Sequence, residues 1–118
     1  MNTKYKNRKW TVVSISEKKY NPYEGVQESK ERPVLVWNNS QKLFGKILCF
    51  YCTSKESSHT RNFLYEINDK NNKKTYVDVS KVIFVENRDI NWNKRWFNVK
   101  DQVIKKEITE RINEIFVS

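Results

Sequence analysis

Short apolar runs separated by polar turns set the pattern of this chain. Two of them, Val34–Trp37 and Ile47–Cys52, are rich in β-branched and aromatic residues and are flanked by turn formers, so each predicts a buried strand. A polar turn around Asn38–Lys42 separates them. If this turn closes a hairpin, the strands are antiparallel neighbours, and the start of the first lies beside the end of the second.

Alternation of apolar and polar residues predicts further strands on either side of this pair. The alternating segments are Trp10–Ser16, Phe63–Ile67 and Thr75–Val79, and the apolar run Val82–Val85 predicts a last strand. We expect the second and third of these to form a hairpin across the charged turn Asn68–Lys74.

The C-terminal segment Val99–Val117 has the periodicity of an amphipathic helix. Its apolar residues recur at three- and four-residue spacing, at Ile104, Ile108, Ile112, Ile115 and Phe116. We expect this stripe to dock on the sheet, although it could also pair with a second copy of the chain. Trp92 and Trp96 are four residues apart, which predicts that they share one helical face and pack in the core.

These elements predict a mainly β protein, with a small, strongly curved sheet or partial barrel closed by a C-terminal helix. The 118 residues fit one domain, spanning 1–118. No segment approaches the roughly 20 apolar residues of a membrane-spanning helix. The basic N-terminus has no apolar stretch after it that would make it a signal peptide. We therefore expect a cytoplasmic protein with no membrane association.

The net charge of +9 indicates a polyanionic partner, with nucleic acid as the first candidate and an acidic protein as the second. The alternative is a composition effect, because a chain rich in Lys and Asn can reflect an AT-rich coding sequence.

Cys49 and Cys52 form a C-x-x-C spacing inside a predicted strand, where positions three apart face opposite sides of the sheet. With one His and no second Cys pair in the chain, the usual four-ligand zinc site cannot be assembled. We expect two reduced, buried thiols, and no metal or other cofactor.

Polar residues at the ends of the central strand pair are the candidate functional residues. Arg32 precedes the first strand, and Thr53 and Ser54 follow the second, so an antiparallel hairpin brings them to the same rim of the sheet. A fixed guanidinium beside two hydroxyls is suited to binding phosphate. The alternative is that Arg32 is a surface charge and Thr53 caps a strand.

Two polar loops carry cations and aromatics that could grip a single strand of RNA through phosphate contacts and base stacking. The first, Glu17–Glu31, is long for a connection in a compact domain. Its candidate RNA-binding residues are Lys18, Lys19, Tyr20, Tyr23 and Lys30. Those at and after the end of the second strand are Ser54, Lys55 and Arg61. Either loop could equally be an ordinary exposed connection.

Several segments together resemble the MazF/PemK (Kid) toxin family. The likeness covers most of the chain from Trp10 onward, in order, spacing and length. It includes a C-terminal amphipathic helix in the same place, and the matching strands and turns are RPVLVWNN, ILCFYCTSK and YVDVSKVIFVENRDI.

The resemblance implies an SH3-like small β-barrel (the MazF/PemK/Kid-type fold) that forms homodimers. It also implies a metal-independent, sequence-specific endoribonuclease that inhibits growth by cutting single-stranded RNA. In this family the RNA 2′-hydroxyl is the nucleophile, leaving 2′,3′-cyclic phosphate and 5′-hydroxyl ends, and a cognate antitoxin blocks the groove. The family's catalytic Arg matches Arg32, and its phosphate-contacting Thr matches Thr53.

The residues agree with this chemistry, because a fixed Arg can stabilise the extra negative charge of the phosphorane. His59 is the natural candidate for the base that takes the 2′-proton, and Glu31 is a weaker one. A lone His in a polar loop can also simply be exposed.

The first loop, YNPYEGVQESKE, departs from the family's glycine-rich pattern, and Asn38-Asn39 replaces its usual small polar pair, so substrate grip and sequence preference can differ. Two other functions stay open. One is a non-catalytic RNA-binding module, and the other is a protein-inhibiting module on the same barrel.

Overall fold

The computed structural model describes residues 8–20, 25, 30–38, 45–55, 61–67, 74–93 and 96–117. Short 3-10 turns precede the fourth strand, at Arg61–Phe63, and follow the fifth, at Asn87–Asp89. The strands and helices, in chain order, are β1 (Thr11–Ser16), α1 (Glu17–Tyr20), β2 (Glu31–Asn38), β3 (Lys46–Thr53), β4 (Leu64–Glu66), β5 (Tyr76–Glu86), β6 (Phe97–Asn98) and α2 (Gln102–Val117).

The described strands form one six-stranded antiparallel sheet in the order β4-β5-β3-β2-β1-β6. The pairing register shifts between Val36 and Asn38 on β2 and between Phe50 and Cys52 on β3. Such bulges increase local bending and twist. The sheet curls into a half-barrel accompanied by the C-terminal helix, which confirms the predicted mainly β, SH3-like small barrel.

Apolar side chains cover both faces of the sheet, because neighbouring residues of a strand point to opposite sides. The face beneath α2 buries Val12, Leu35, Phe50, Cys52, Ile67, Val77, Val79, Val99, Ile108 and Ile112. The opposite face buries Val13, Ile15, Val34, Val36, Ile47, Cys49, Val85 and Ile90. Cys49 and Cys52 therefore lie on opposite faces as two buried free thiols, as predicted.

Helix α2 docks on the sheet through its predicted stripe, in which Ile108 and Ile112 are buried. It begins three residues later than predicted, because Asp101 Oδ1 accepts hydrogen bonds from the backbone N–H groups of Val103 (2.9 Å) and Ile104 (3.3 Å). Val99 instead donates its N–H to the carbonyl oxygen of Trp10 at 2.8 Å. Neither described helix is both long and apolar enough to cross a membrane.

Strand β5 is continuous, whereas the sequence predicted separate strands over 75–79 and 82–85. Its first residues pair with β4, which confirms the predicted hairpin, and its later residues pair with β3. The interruption was inferred from polar Ser80 and Lys81. Both side chains are exposed and lie where the pairing of β5 with β3 is irregular, but the strand continues through them. Polar side chains on the solvent side do not end a strand.

The segment after β1 was predicted as a loop, but it starts with the one-turn helix α1. Ser16 Oγ accepts a hydrogen bond from Lys19 N at 3.3 Å, which is the pattern of a serine that caps a helix N-terminus. The cap starts this helix immediately after β1.

Neither Trp92 nor Trp96 lies in a helix, so the predicted shared helical face was wrong, whereas the predicted core packing holds for Trp92. Trp92 lies in a turn that Asn91 closes by accepting a hydrogen bond from Asn93 N through its side chain at 3.1 Å. Such Asn contacts compete with helix formation. Trp92 packs partly against the core, whereas Trp96 stands at the start of β6 with 49% of its surface exposed.

Candidate functional site

The ends of three adjacent strands converge at one rim of the sheet. Val34 pairs with Tyr51 on β3, and Arg32 pairs with Ile15 on β1. Arg32 lies two residues before Val34 and Thr53 lies two residues after Tyr51, so antiparallel pairing brings Arg32 and Thr53 to the same edge. Both line one shallow depression, as the hairpin predicted.

The depression has a cavity volume of about 300 Å³ and continues into a smaller one of about 120 Å³. Arg32 and Thr53 belong to both, and the smaller one adds Tyr51, Asp78 and Lys81. The larger is lined by Glu17, Lys30, Glu31, Arg32, Pro33, Cys52, Thr53, Ser54, Lys55, Thr75 and Trp96. Arg32 and Thr53 therefore stand at the boundary between two neighbouring binding spaces.

The guanidinium of Arg32 is held from two sides. Its Nη1 donates to Glu17 Oε1 at 3.4 Å, and its Cζ lies 4.7 Å from the centre of the Tyr51 ring. A cation over an aromatic face is attracted to the ring quadrupole. The side chain keeps 29% of its surface exposed, so the remaining guanidinium N–H groups can serve an anion in the depression.

Glu17 is the functional residue that the sequence analysis missed. Its side chain is only 8% exposed and makes ion pairs with both Arg32 and Lys30, each at 3.4 Å. Its backbone N–H donates to the carbonyl oxygen of Lys30 at 3.0 Å, which binds the end of β1 to the start of β2. The available signal was a carboxylate directly after an apolar strand, beside the capping residue Ser16.

Thr53 presents a hydroxyl whose orientation is set by the turn that follows it. Its Oγ1 accepts a hydrogen bond from Lys55 N at 3.1 Å, while its own hydrogen meets only a long contact of 3.5 Å to the Lys55 carbonyl. A long contact of this kind is weak. The hydroxyl can therefore donate to a phosphate oxygen.

The structure brings together some of the predicted RNA-binding residues. Lys30, Ser54 and Lys55 line the same depression as Arg32. Tyr23 and His59 lie outside the described residues. The backbone of Arg61 is described in its 3-10 turn, but its side chain is not.

Lys18, Lys19 and Tyr20 are not among the residues that line the depression. Lys19 Nζ pairs with Asp89 at 2.8 Å, and the Tyr20 hydroxyl donates to the same carboxylate while accepting from Glu86 N at 2.9 Å. Desolvation first, and then the hydrogen bond to Asp89, raises the pKa of Tyr20 to about 12. The hydrogen bond from Lys19 lowers the pKa of the Asp89 carboxyl. This network attaches α1 to the turn after β5.

Glu31 is exposed and lines the depression. Cys52 also lines it, but burial raises the pKa of its thiol, and burial raises that of Cys49 to about 12. Protonated thiols are poor nucleophiles. In the part of the chain that the structure describes, no three His, Cys, Asp or Glu side chains are grouped so that they could hold a metal ion.

The protein is a small, curled β half-barrel with a C-terminal helix. Cationic side chains line the depression at one rim of its sheet. No protein-family model and no curated protein sequence matches this chain.

Solved structures do match it. MazF from Deinococcus radiodurans aligns with a TM-score of 0.64 at 12% identity, covering 95% of this chain and 97% of that chain. A MazE–MazF structure from the same organism aligns at 0.63 and 12% identity, covering 92% and 93%. An endoribonuclease in complex with its cognate antitoxin, from a mycobacterial species, aligns at 0.62 and 10% identity, covering 90% of each chain. This chain therefore has the fold of the MazF structures.

Proposed function

We propose that this protein is an endoribonuclease toxin of a toxin–antitoxin system, acting in the cytoplasm as one domain over residues 1–118. The observation that carries the proposal is the convergence of Arg32 and Thr53 in one depression on a MazF fold. Three cationic side chains, from Lys30, Arg32 and Lys55, line the same depression, which suits a polyanionic substrate.

The reaction we propose is attack of the RNA 2′-oxygen on the adjacent phosphorus. The new O2′–P bond forms as the P–O5′ bond breaks, which leaves a 2′,3′-cyclic phosphate and a 5′-hydroxyl. One proton leaves the 2′-hydroxyl and one is delivered to the departing 5′-oxygen. His59 stays a prediction for the group that takes the first proton, and Glu31 is the weaker candidate.

Arg32 and Thr53 would act on the charge that develops at phosphorus. The guanidinium, already oriented by Glu17 and Tyr51, stabilises the phosphorane without having to reorganise during the reaction. The Thr53 hydroxyl donates to a second phosphate oxygen. Because the positive charge comes from Arg32, we propose a reaction that is independent of metal ions.

The partners we propose are single-stranded RNA, a cognate antitoxin and a second copy of the chain. The antitoxin is supported by the mycobacterial neighbour, which is an endoribonuclease in complex with its cognate antitoxin. The homodimer is supported by large apolar side chains that stand exposed at the surface, among them Phe84 and Phe116. Light scattering of the purified protein would measure the oligomeric state.

The test is cleavage of a long single-stranded RNA by purified protein in EDTA, with the ends of the products mapped. The wild type should give discrete fragments with 5′-hydroxyl ends. Arg32→Ala and Arg32→Lys should lower the rate by about 100- to 1000-fold, the usual effect of removing one donor to a developing oxyanion. Thr53→Val keeps the shape of the side chain but removes the hydroxyl, and it should also be slower.

Arg88→Ala is the matched control, because Arg88 is an exposed arginine in the 3-10 turn after β5 and does not line either depression. It should cut at the wild-type rate. An Arg32→Ala protein that cuts as fast as the wild type would show that Arg32 is not catalytic. Intact RNA with folded wild-type protein would overturn the endoribonuclease. RNA binding without cleavage would then favour a non-catalytic RNA-binding module. If the protein does not bind RNA either, a protein-inhibiting module would be favoured.

A further inference from the structure

Trp96 is the exposed member of the four tryptophans, all of which lie in the described part of the chain. The ring of Trp92 lies 4.3 Å from the guanidinium carbon of Arg8. Trp10 and Trp37 pack edge to face with centroids 5.0 Å apart, and Lys9 Nζ lies 3.8 Å from the centre of the Trp37 ring. Trp96 keeps 49% of its surface exposed and lines the larger depression.

The indole of Trp96 is fixed in place although it is exposed. Its backbone N–H donates to the Val12 carbonyl oxygen at 2.9 Å, and its Nε1–H donates to Ser14 Oγ, a hydroxyl on a nearly buried residue of β1. Both N–H groups of the residue are thus paired with acceptors on β1. The surface that remains is aromatic carbon, held rigidly at the wall of the depression.

This rigid aromatic wall shares its depression with the phosphate-binding residues proposed above. Arg32, Thr53 and Lys55 line it together with Trp96. A volume of about 300 Å³ lies at the lower end of the range of small-ligand sites. An aromatic platform beside cations is the usual means of binding single-stranded nucleic acid, with bases stacked on rings and phosphates held by charges.

We propose that Trp96 is the stacking platform for a nucleobase next to the phosphate held by Arg32 and Thr53. This inference rests on the proposed ribonuclease function and assigns the residue that binds a base there. The face of the indole takes the π-face of the base, and no proton or covalent bond is transferred. Because every base has a π-face, Trp96 contributes affinity and places the nucleotide, and it leaves base identity to other contacts.

The test measures binding of a short RNA that spans a mapped cut site and carries 2′-O-methyl groups, so that it cannot be cleaved through its 2′-oxygen. Trp96→Leu should weaken binding by about 5- to 150-fold, the equivalent of the roughly 1–3 kcal/mol found for base–aromatic stacking. Trp96→Phe keeps an aromatic ring and should recover most of the affinity. Val103→Ala is the control, because Val103 is 67% exposed and lines neither depression.

Two further readouts separate stacking from a general structural effect. The slope of log K against log salt should stay unchanged in Trp96→Leu, because stacking releases no counterions, whereas Lys55→Ala should reduce it by about 0.7. An RNA with an abasic residue at the stacked position should bind the wild type as weakly as the intact RNA binds Trp96→Leu. Combining the two changes should cause no further loss.

If Trp96→Leu binds the intact RNA as tightly as the wild type while the wild type cuts RNA, the stacking role of Trp96 is refuted and the proposed ribonuclease function is retained. If the wild type neither binds nor cuts RNA, both fail. Where Trp96→Leu does not fold, Trp96→Phe decides. RNA should quench the fluorescence of the wild type more than that of this variant, and equal quenching would overturn the proposal.

Discussion

Glu17 is the residue whose substitution most directly tests how the site works, because its buried carboxylate lies against the guanidinium proposed to bind phosphate. Glu17→Gln removes the negative charge and nearly preserves the shape of the side chain. The variant should lose stability, cut RNA more slowly at saturation and bind RNA more tightly.

The expected loss of stability follows from distance and burial. At 3.4 Å, the attraction between unit charges in a partly solvated protein environment is about 5 kcal/mol before desolvation is subtracted. Breaking a fully buried pair costs about 3–5 kcal/mol. Glu17 is buried, but the Arg32 side chain is 29% exposed, so solvent screens part of the attraction. We expect the free energy of unfolding to fall by about 1–3 kcal/mol.

Glu17→Gln should lower both kcat and KM. Without its ion pair, Arg32 samples more orientations, and a small misplacement of a catalytic group can reduce the rate by up to about 100-fold. Glu17 also places a negative charge in the wall of a phosphate site, so removing it should strengthen ground-state RNA binding. About 1 kcal/mol, or roughly 5-fold in KM, is the scale for one nearby charge partly screened by water.

The assays are urea unfolding and cleavage of an RNA that carries one cut site. Glu66→Gln is the control, because it removes the same charge from an exposed residue of β4 that lines neither depression. It should leave stability and kcat near wild-type values. A Glu17→Gln protein that is less stable but has an unchanged kcat would show that Glu17 only secures the end of β1. A KM that rises would show that its charge does not oppose the substrate.

Other predictions follow from the same contacts. Since the pKa of Tyr20 is raised from about 10 to about 12, its contribution to stability should be fully present below pH 10 and should be lost as pH rises to 12. Unfolding measured across that range should show a smaller loss in Tyr20→Phe, and equal pH dependence would contradict the raised pKa. Cys49 and Cys52 are buried with raised thiol pKa values, so a thiol reagent at pH 8 should label them only when the protein unfolds. Rapid labelling of the native protein would show that they are accessible. Ile108→Ala, at a fully buried position beneath α2, should cost about 2–5 kcal/mol in urea unfolding, whereas Val103→Ala, at a position 67% exposed, should cost under about 0.5 kcal/mol. Equal costs would mean that the stripe does not anchor the helix.

Local pattern was sufficient for strands β1 to β4, for helix α2 and for the nearness of Arg32 to Thr53, whereas β6 was not predicted. The apolar run Val34–Trp37 predicted half of β2, and the isoleucine spacing predicted α2, because burial of one strand or one helical stripe is encoded by residues that are neighbours in sequence. When two consecutive strands are antiparallel, the start of the first lies beside the end of the second, so the nearness of these two ends can be predicted from the sequence.

Tertiary structure decided which other side chains reach the rim. Glu17 becomes an ion-pair partner of Arg32 only when β1 lies beside β2. Trp96 reaches the depression because β6 returns to the far edge of β1, where its indole binds Ser14, 82 residues earlier in the chain. Lys19 and Tyr20, two of the predicted RNA-binding residues, contact Asp89, 70 and 69 residues away, and do not line the depression.

These outcomes share a physical reason. The sequence by itself determined the elements whose stability comes from local periodicity: strands β1 to β4, helix α2 and the antiparallel pairing of β2 with β3. Ion pairs and hydrogen bonds between residues far apart in the chain depend on how the sheet curls and which edges meet. Those edges are set by the bulges and the closing strand β6, and only the folded chain shows them.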